Sequence, residues 1–329
     1  MIPMKRIPML LVLLLSVSLI GVAQQHDDPQ VQADELFNEG NSLLRAGNLS
    51  EAVQKYSQAL EIVEDHRYYY QKAVALLRMD RYEDAVDAFN NALDHGSDME
   101  TVQLGLSGAY MGMGEQYFSA GNFSNAISQY RNAIEINPDP RYYNRLAIAL
   151  RRNNQENDAV EAFKSAIELN PQYAIAYAGL GGTYVSLQRY DDAIEAYSTA
   201  IELQPNMQQA RRGLATAYTA KGNELLNRGR VRDAVSELDK AIEASAQHSQ
   251  AHLLLAVAHN RLGQFEAAER HARSAIEYKQ RGQTGGEYFE LGVALRNQNR
   301  KDEAIRAFEE AAKDPRYRRN AEYELEELK

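Results

Sequence analysis

The sequence predicts an all-α solenoid of about eight helix–turn–helix units, followed by a C-terminal capping helix. Two observations support this fold class. Apolar residues recur with a helical period along most of the chain, and a small residue returns at intervals of 33 to 41 residues. Because an isolated amphipathic helix pair buries only one face, it needs a similar pair beside it.

The clearest copy of this pattern spans residues 174–205. Small residues occur where two helices would touch, and large residues fill the space between them. Pro205 ends the second helix because it has no N–H group to donate. The small positions are Gly181, Ala193 and Ala200, and the large positions are Tyr177, Leu180, Tyr184, Tyr190 and Tyr197.

The same pattern can be followed along the chain by its most regular alanine. That alanine occurs at Ala52, Ala85, Ala126, Ala159, Ala193, Ala234, Ala268 and Ala304. The pattern resembles the tetratricopeptide repeat, a helix–turn–helix unit of about 34 residues. The resemblance implies a right-handed solenoid that binds other proteins. The predicted repeats are 33–66, 66–99, 100–139, 140–173, 174–207, 208–248, 249–284 and 285–316, with a capping helix at 317–329.

Two intervals between these alanines are 41 residues long, and they lie 108 residues apart. The segments Gly105–Tyr110 and Gly213–Tyr218 correspond, which indicates duplication of a three-repeat block. Seven extra residues add about 10 Å of helix. We therefore expect lengthened first helices over residues 99–119 and 206–227. Their added turns would either project and support self-association, or fill space against the preceding helix.

The amino terminus has the pattern of a cleavable signal peptide over residues 1–23. Lys5 and Arg6 precede an apolar run, and Gly21-Val22-Ala23 provides a small-residue cleavage site. An uncleaved anchor is the alternative interpretation. No cysteine is present to carry a lipid, so we expect a bacterial periplasmic or secreted protein without a stable membrane anchor after cleavage. A polar leader is predicted over residues 24–32.

Composition and motifs argue against several classes of function. The chain contains no cysteine, which excludes thiol catalysis and cysteine-ligated zinc. Its net charge of −10 argues against general nucleic-acid binding. No phosphate-binding loop, nucleophile elbow or H-E-x-x-H helix occurs, so we expect no enzyme activity, cofactor or metal. His248, His252 and His259 have helical spacing, but two occupy positions that pack inward in the repeat.

The candidate site is the inner surface that the resemblance implies, lined by five positions of each first helix. This surface carries more arginines than acids, although the chain as a whole is acidic. We therefore predict a protein partner with acidic segments. The site residues are Phe37, Asn41, Arg45, Arg67, Tyr70, Arg78, Arg141, Asn144, Arg151, Arg152, Arg261, Phe289 and Arg296.

Two other interpretations of these residues stay open. Six of the arginines lie near the C-terminal ends of helices, where a cation is favoured by roughly 0.3–1 kcal/mol. Helix capping alone would then explain them. The second is that the surface holds an acidic glycan of the cell envelope, with sugars stacked on Tyr70 and Tyr142.

Overall fold

The computed structural model describes residues 28–329, so the predicted signal peptide lies outside the described residues. Within this range the structure contains seventeen α-helices and no strand, which confirms the all-α repeat class. None of these helices is both long and apolar enough to cross a membrane. Contacts divide the chain after Asn153 into an N-terminal block and a C-terminal block.

The N-terminal block contains seven helices in the described residues. They are α1 (Pro29–Ala46), α2 (Leu49–Ile62), α3 (His66–Arg78), α4 (Tyr82–Asp94), α5 (Met99–Ser119), α6 (Phe123–Ile136) and α7 (Pro140–Arg152). The first helix begins earlier than predicted. The predicted polar leader, residues 24–32, is helical from Pro29, because Asp28 caps the helix by accepting the Gln30 N–H and proline suits the first turn.

The C-terminal block contains ten helices. They are α8 (Glu156–Leu169), α9 (Ala174–Ser186), α10 (Tyr190–Leu203), α11 (Gln208–Asn227), α12 (Val231–Ala244), α13 (Ser249–Arg261), α14 (Phe265–Tyr278), α15 (Gly285–Asn297), α16 (Lys301–Ala312) and α17 (Arg318–Glu327). The last helix packs Ala321, Leu325 and Leu328 against the apolar cluster of α15 and α16. It therefore covers a face that would otherwise be exposed to water.

A glycine of the first helix meets a large residue of the second helix in five repeats. In the first repeat, a Cβ added at Gly40 would lie 2.6 Å from ring carbon Cε1 of Tyr56. Such a distance leaves no room for a side chain, so the two helices of this repeat need glycine at position 40 to approach this closely. The equivalent pairs are Gly114 with Tyr130, Gly181 with Tyr197, Gly222 with Leu238, and Gly292 with Phe308.

The prediction of lengthened first helices is confirmed. Helix α5 has 21 residues and α11 has 20, whereas α9 has 13. Helix α5 spans the predicted residues 99–119, and α11 begins at Gln208, two residues later than predicted. The additional residues lengthen the helices and do not form a longer loop.

The glycine contacts show where the extra residues of α11 act. In α9, Gly179 contacts Phe163 of the preceding repeat and Gly181 contacts Tyr197 of its own repeat. These two contact points are two residues apart (181 − 179). Helix α9 therefore contacts its two neighbouring helices at almost the same position along its own axis.

In α11 the two contact points are separated. Gly213 contacts Tyr197 of the preceding repeat, and Gly222 contacts Leu238 of its own repeat. The separation is nine residues (222 − 213), which is seven more than in α9. At 1.5 Å per residue, this displaces the following second helix by about 10 Å along the first. The insertion therefore creates a step between consecutive repeats.

Helix α5 repeats this arrangement in the N-terminal block. Gly105 contacts Phe89 of the preceding repeat and Gly114 contacts Tyr130 of its own repeat, again nine residues apart (114 − 105). The added turns pack against the preceding helix, and Val102 is fully buried. Leu104 nevertheless remains 68% exposed. Self-association through this outer face stays a prediction.

Substitution by alanine at two glycines of the long helices should change the free energy of unfolding in opposite directions. Gly213→Ala should lower the free energy of unfolding by about 1–3 kcal/mol, because the added Cβ would lie 2.3 Å from the buried Tyr197 ring. Gly108→Ala should raise it by about 0.5–1 kcal/mol, because no atom lies within 4 Å and alanine favours the helix. Urea denaturation followed by circular dichroism measures both. Equal effects would contradict the contact geometry.

Candidate functional site

Two of the predicted arginines are held by the residue that caps their own helix. Asp65 accepts the backbone N–H of Arg67 at 2.8 Å and also the guanidinium through Nη2 at 2.8 Å. Asp139 binds Arg141 in the same way, with Nη2 at 2.6 Å. These arginine hydrogen bonds hold the pKa of both carboxyl groups below the usual range. Each arginine therefore has a carboxylate partner within the chain.

Arg67 also belongs to an aromatic cluster between α1 and α3. The rings of Phe37 and Tyr68 lie 4.8 Å apart, and the Arg67 guanidinium lies 5.4 Å from the Tyr68 ring. Asp34 accepts the Tyr68 hydroxyl at 2.6 Å and the Arg67 guanidinium at 3.2 Å. Chiefly through the Tyr68 bond, this lowers the pKa of Asp34. The cluster joins the first two repeats.

Two other predicted arginines act as helix caps. Arg78 donates from Nη1 to the Leu44 carbonyl of α1 at 3.2 Å. Arg261 donates in the same way to the Leu226 carbonyl of α11 at 3.1 Å. Both carbonyls lie near the C-terminal end of a first helix, where backbone acceptors lack partners. The capping interpretation is correct here, but each arginine caps the preceding first helix and not its own.

The aromatic site residues pack against the second helices. Tyr70 meets Phe89 edge-on, with ring centroids 5.8 Å apart. Phe289 meets Phe308 at 5.6 Å and Tyr317 at 5.9 Å. Phe89 and Phe308 are fully buried and Tyr70 and Phe289 are partly buried against them, so these rings contribute first to packing.

The C-terminal helix occupies the site residues of the last repeat. Arg296 forms an ion pair with Glu324 of α17, and Phe289 contacts Tyr317 at the start of that helix. The predicted surface is therefore covered by the chain itself in this repeat.

The two site asparagines are engaged or buried. Asn41 accepts the Tyr56 hydroxyl at 2.9 Å. Asn144 is 6% exposed, and its side-chain oxygen has no hydrogen-bond partner in the described chain. Tyr142 is 8% exposed, so its ring is not available to stack on a sugar. The glycan interpretation required sugars to stack on Tyr70 and Tyr142, and the burial of Tyr142 removes one of these two rings.

Three predicted arginines remain, at the C-terminal ends of α1 and α7. Arg45 is exposed and donates to the Ser42 hydroxyl at 3.4 Å, and Arg152 is also exposed. Within residues 28–329, neither forms an ion pair with a carboxylate. Arg151 is partly buried. Arg45 and Arg152 are therefore the site cations available to a partner.

His252, His259 and His271 form a cluster of contacting rings, and His248 lies outside it. His252 donates from Nε2 to the Ala246 carbonyl at 2.9 Å, so its Nδ1 accepts from His271 Nδ1 at 3.0 Å. The rings of His259 and His271 are stacked 5.4 Å apart. No metal-binding group of three ligands is found within the described residues. Sequence spacing on one helix missed His271 because it lies on the neighbouring helix α14.

A further group of cations escaped the sequence analysis. Arg211, Arg212, Lys279 and Arg281 line one open cavity of about 950 Å³ in the C-terminal block. We call this cavity the basic pocket. These four cations lie in the inserted turns of α11 and in the loop after α14, outside the five positions used to define the inner surface. The adjacent Arg211 and Arg212 in the inserted segment were the only signal in the sequence.

Comparison with known families decides the classification. The family described as tetratricopeptide repeat matches residues 37–100, 111–174, 144–207, 179–223 and 219–284, and a second tetratricopeptide repeat description matches 288–313. These matches together cover most of the chain. The chain belongs to the tetratricopeptide repeat family. The predicted resemblance is thereby confirmed.

Individual relatives match only parts of the sequence. Heat shock protein STI1 of Saccharomyces cerevisiae is 28% identical over 108 residues, which is 33% of this chain and 18% of that protein. The Hsp70-Hsp90 organising protein of Plasmodium falciparum is 25% identical over 162 residues, covering 49% and 28% of the two chains. This tetratricopeptide repeat chain therefore matches less than a third of either relative.

Solved structures support the fold. The C-terminal part of a tetratricopeptide repeat protein from Cytophaga hutchinsonii aligns with a TM-score of 0.52 at 16% identity. The alignment covers 79% of this chain and 98% of that structure. At this identity the similarity shows a shared architecture and nothing about ligands.

Proposed function

We propose that this tetratricopeptide repeat protein is a non-catalytic scaffold that binds other proteins. Membership of the family supports this proposal, and so does a relative named as an organising protein of Hsp70 and Hsp90. The first helices also present charged side chains that the fold does not use. Binding through a preformed helical surface needs no cofactor and no catalytic group.

The observation that carries the proposal is that Arg45 and Arg152 differ from the other predicted cations in their partners. Most of the predicted cations bind an acid or a carbonyl within the chain, whereas Arg45 and Arg152 have no carboxylate partner in the described residues. A guanidinium holds a carboxylate through two parallel hydrogen bonds. We therefore propose that these two residues contact acidic side chains of the partner.

We further propose that the protein acts in the bacterial cell envelope. The basic start, apolar run and small-residue cleavage site of residues 1–23 support export. Cell fractionation with amino-terminal sequencing would test this part independently. Recovery from the cytosol with residues 1–23 intact would contradict it.

A differential pull-down from envelope extract tests partner binding. The double variant Arg45→Glu with Arg152→Glu should retain a specific partner about tenfold less than the unchanged chain, because two attractive contacts become repulsive. The matched control is Arg131→Glu with Arg306→Glu, which reverses the charge at two exposed positions on second helices. Equal retention by all three proteins would contradict the assignment of Arg45 and Arg152.

A further inference from the structure

The basic pocket lies where the inserted turns of α11 extend past the end of α12. The Thr216 hydroxyl of α11 lies 3.4 Å from His248 Nε2, in the loop that follows α12. The eight residues 208–215 continue beyond this point for about two turns. They form one wall, and the loops before α13 and α15 form the others. The step created by the insertion is therefore also the origin of the pocket.

The charge of the pocket has one sign. Sixteen residues line it, including four Lys or Arg side chains and no Asp or Glu. Lys279 is neutralised by an ion pair with Glu287. Arg211, Arg212 and Arg281 form no ion pair within residues 28–329. Three arginines without a carboxylate partner in the described residues therefore surround one cavity, although the net charge of the chain is −10.

Hydrogen bonds within the chain hold two side chains of this wall in place. Arg211 uses Nε to bind the Pro205 carbonyl at 3.1 Å, which fixes its position and leaves its terminal nitrogens for other acceptors. His248 accepts the Ala251 N–H through Nδ1 at 3.3 Å, so its Nε2 carries the proton towards Thr216.

Helix dipoles do not account for the positive charge of the pocket. The N-terminal ends of α11 and α13 border it, but so do the C-terminal ends of α12 and α14. These ends carry opposite partial charges. The arginine side chains therefore determine the sign of the potential.

The repeat architecture alone does not require these cations. In the duplicated block, 108 residues earlier, the positions of Arg211 and Arg212 are occupied by Gln103 and Leu104. Both long helices nevertheless fold and pack through equivalent glycines. The arginines are thus an addition to one copy of a shared scaffold.

We propose that the basic pocket binds a compact polyanion carrying at least two carboxylate or phosphate groups. Planar guanidinium groups match both oxyanions. A cavity of about 950 Å³ falls in the range of small-molecule sites. This site is separate from Arg45 and Arg152 and does not depend on the proposed partner binding.

Isothermal titration calorimetry of the full chain with citrate and with pyrophosphate tests this site. We expect saturable binding of one or both probes with one site per chain, and weaker affinity as salt increases. Binding of citrate alone assigns a carboxylate ligand, and binding of pyrophosphate alone assigns a phosphate ligand. The inference would be overturned if neither probe bound, including the case in which only an acidic peptide bound.

A double variant distinguishes the pocket from general surface charge. Arg212→Gln with Arg281→Gln should weaken binding about 30-fold, because each removes a charge-assisted hydrogen bond. Both side chains are exposed and form no ion pair, so folding should be unchanged, which thermal melting checks. The control Arg232→Gln with Arg319→Gln removes the same charge outside the pocket and should bind within twofold. Equal losses in the two double variants would overturn the assignment.

Discussion

Tyr197→Ala is expected to lower the free energy of unfolding by about 3–5 kcal/mol, one of the largest effects available in the C-terminal block. The Tyr197 ring is 7% exposed and lies between two glycines, Gly181 of its own repeat and Gly213 of the next. Removing the ring would leave a cavity between three helices. Because neither glycine has a side chain to fill this space, little relaxation is expected.

Urea denaturation followed by far-ultraviolet circular dichroism measures this effect, since the chain contains no tryptophan for fluorescence. Tyr323→Ala is the matched control, because Tyr323 is 61% exposed on α17. A change within about 0.5 kcal/mol is expected for the control. A loss below about 1 kcal/mol for Tyr197→Ala would show that the ring does not join the two repeats.

A further expected result is a loss of stability in mild acid that depends on His271. Burial, followed by the nearby His252, His259 and Arg270, lowers the pKa of His271 to about 4. The folded state therefore binds fewer protons than the unfolded state below about pH 6.5. The free energy of unfolding that the neutral His271 ring contributes is fully present above about pH 6.5, and it decreases as the pH falls towards about 4.

The experiment compares the thermal midpoint of the unchanged chain with that of His271→Gln. Between about pH 7 and about pH 5, the unchanged chain should lose about 2–4 °C more than the variant, roughly 1 kcal/mol after allowance for the partly exposed ring. His66→Gln removes a partly exposed histidine in the N-terminal block and serves as the control for the loss of one imidazole away from the cluster. Parallel pH profiles for all three proteins would exclude His271 as the cause.

Much of the fold could be predicted because its determinants are local. A glycine or alanine in one helix and a large residue in the next determine how closely they pack, and both recur at regular positions. The intervals between alanines gave the lengths of α5 and α11 for the same reason. The sequence did not predict the step between repeats, because that step depends on which neighbour touches Gly213 and which touches Gly222.

The position of an arginine within its repeat did not indicate which group of the chain it binds, and this decides whether it is available to a partner. Arg67 and Arg141 each follow an aspartate by two residues, and Arg316 follows Asp314 in the same way. This Asp-x-Arg pattern is visible in the sequence and predicts a local ion pair at a cap or turn. By contrast, the carbonyl bound by Arg78 lies one repeat earlier, and only the fold reveals it.

The basic pocket could not be predicted for a similar reason. Arg212 lies in an inserted helical turn, and Arg281 lies in the loop between α14 and α15, at the end of the next repeat. Their proximity follows from the longer α11 and from the loop before α15. No fixed sequence spacing connects them.

Photo-crosslinking tests the central proposal, that a protein partner binds the faces of the first helices. A photoreactive residue would replace Arg45, Arg152 or the control Arg131 in three separate full-length proteins. The account predicts that the partner retained in the pull-down crosslinks from positions 45 and 152 but not from position 131. Crosslinking from position 131 alone would place the partner on the second helices and contradict the proposed mode of binding.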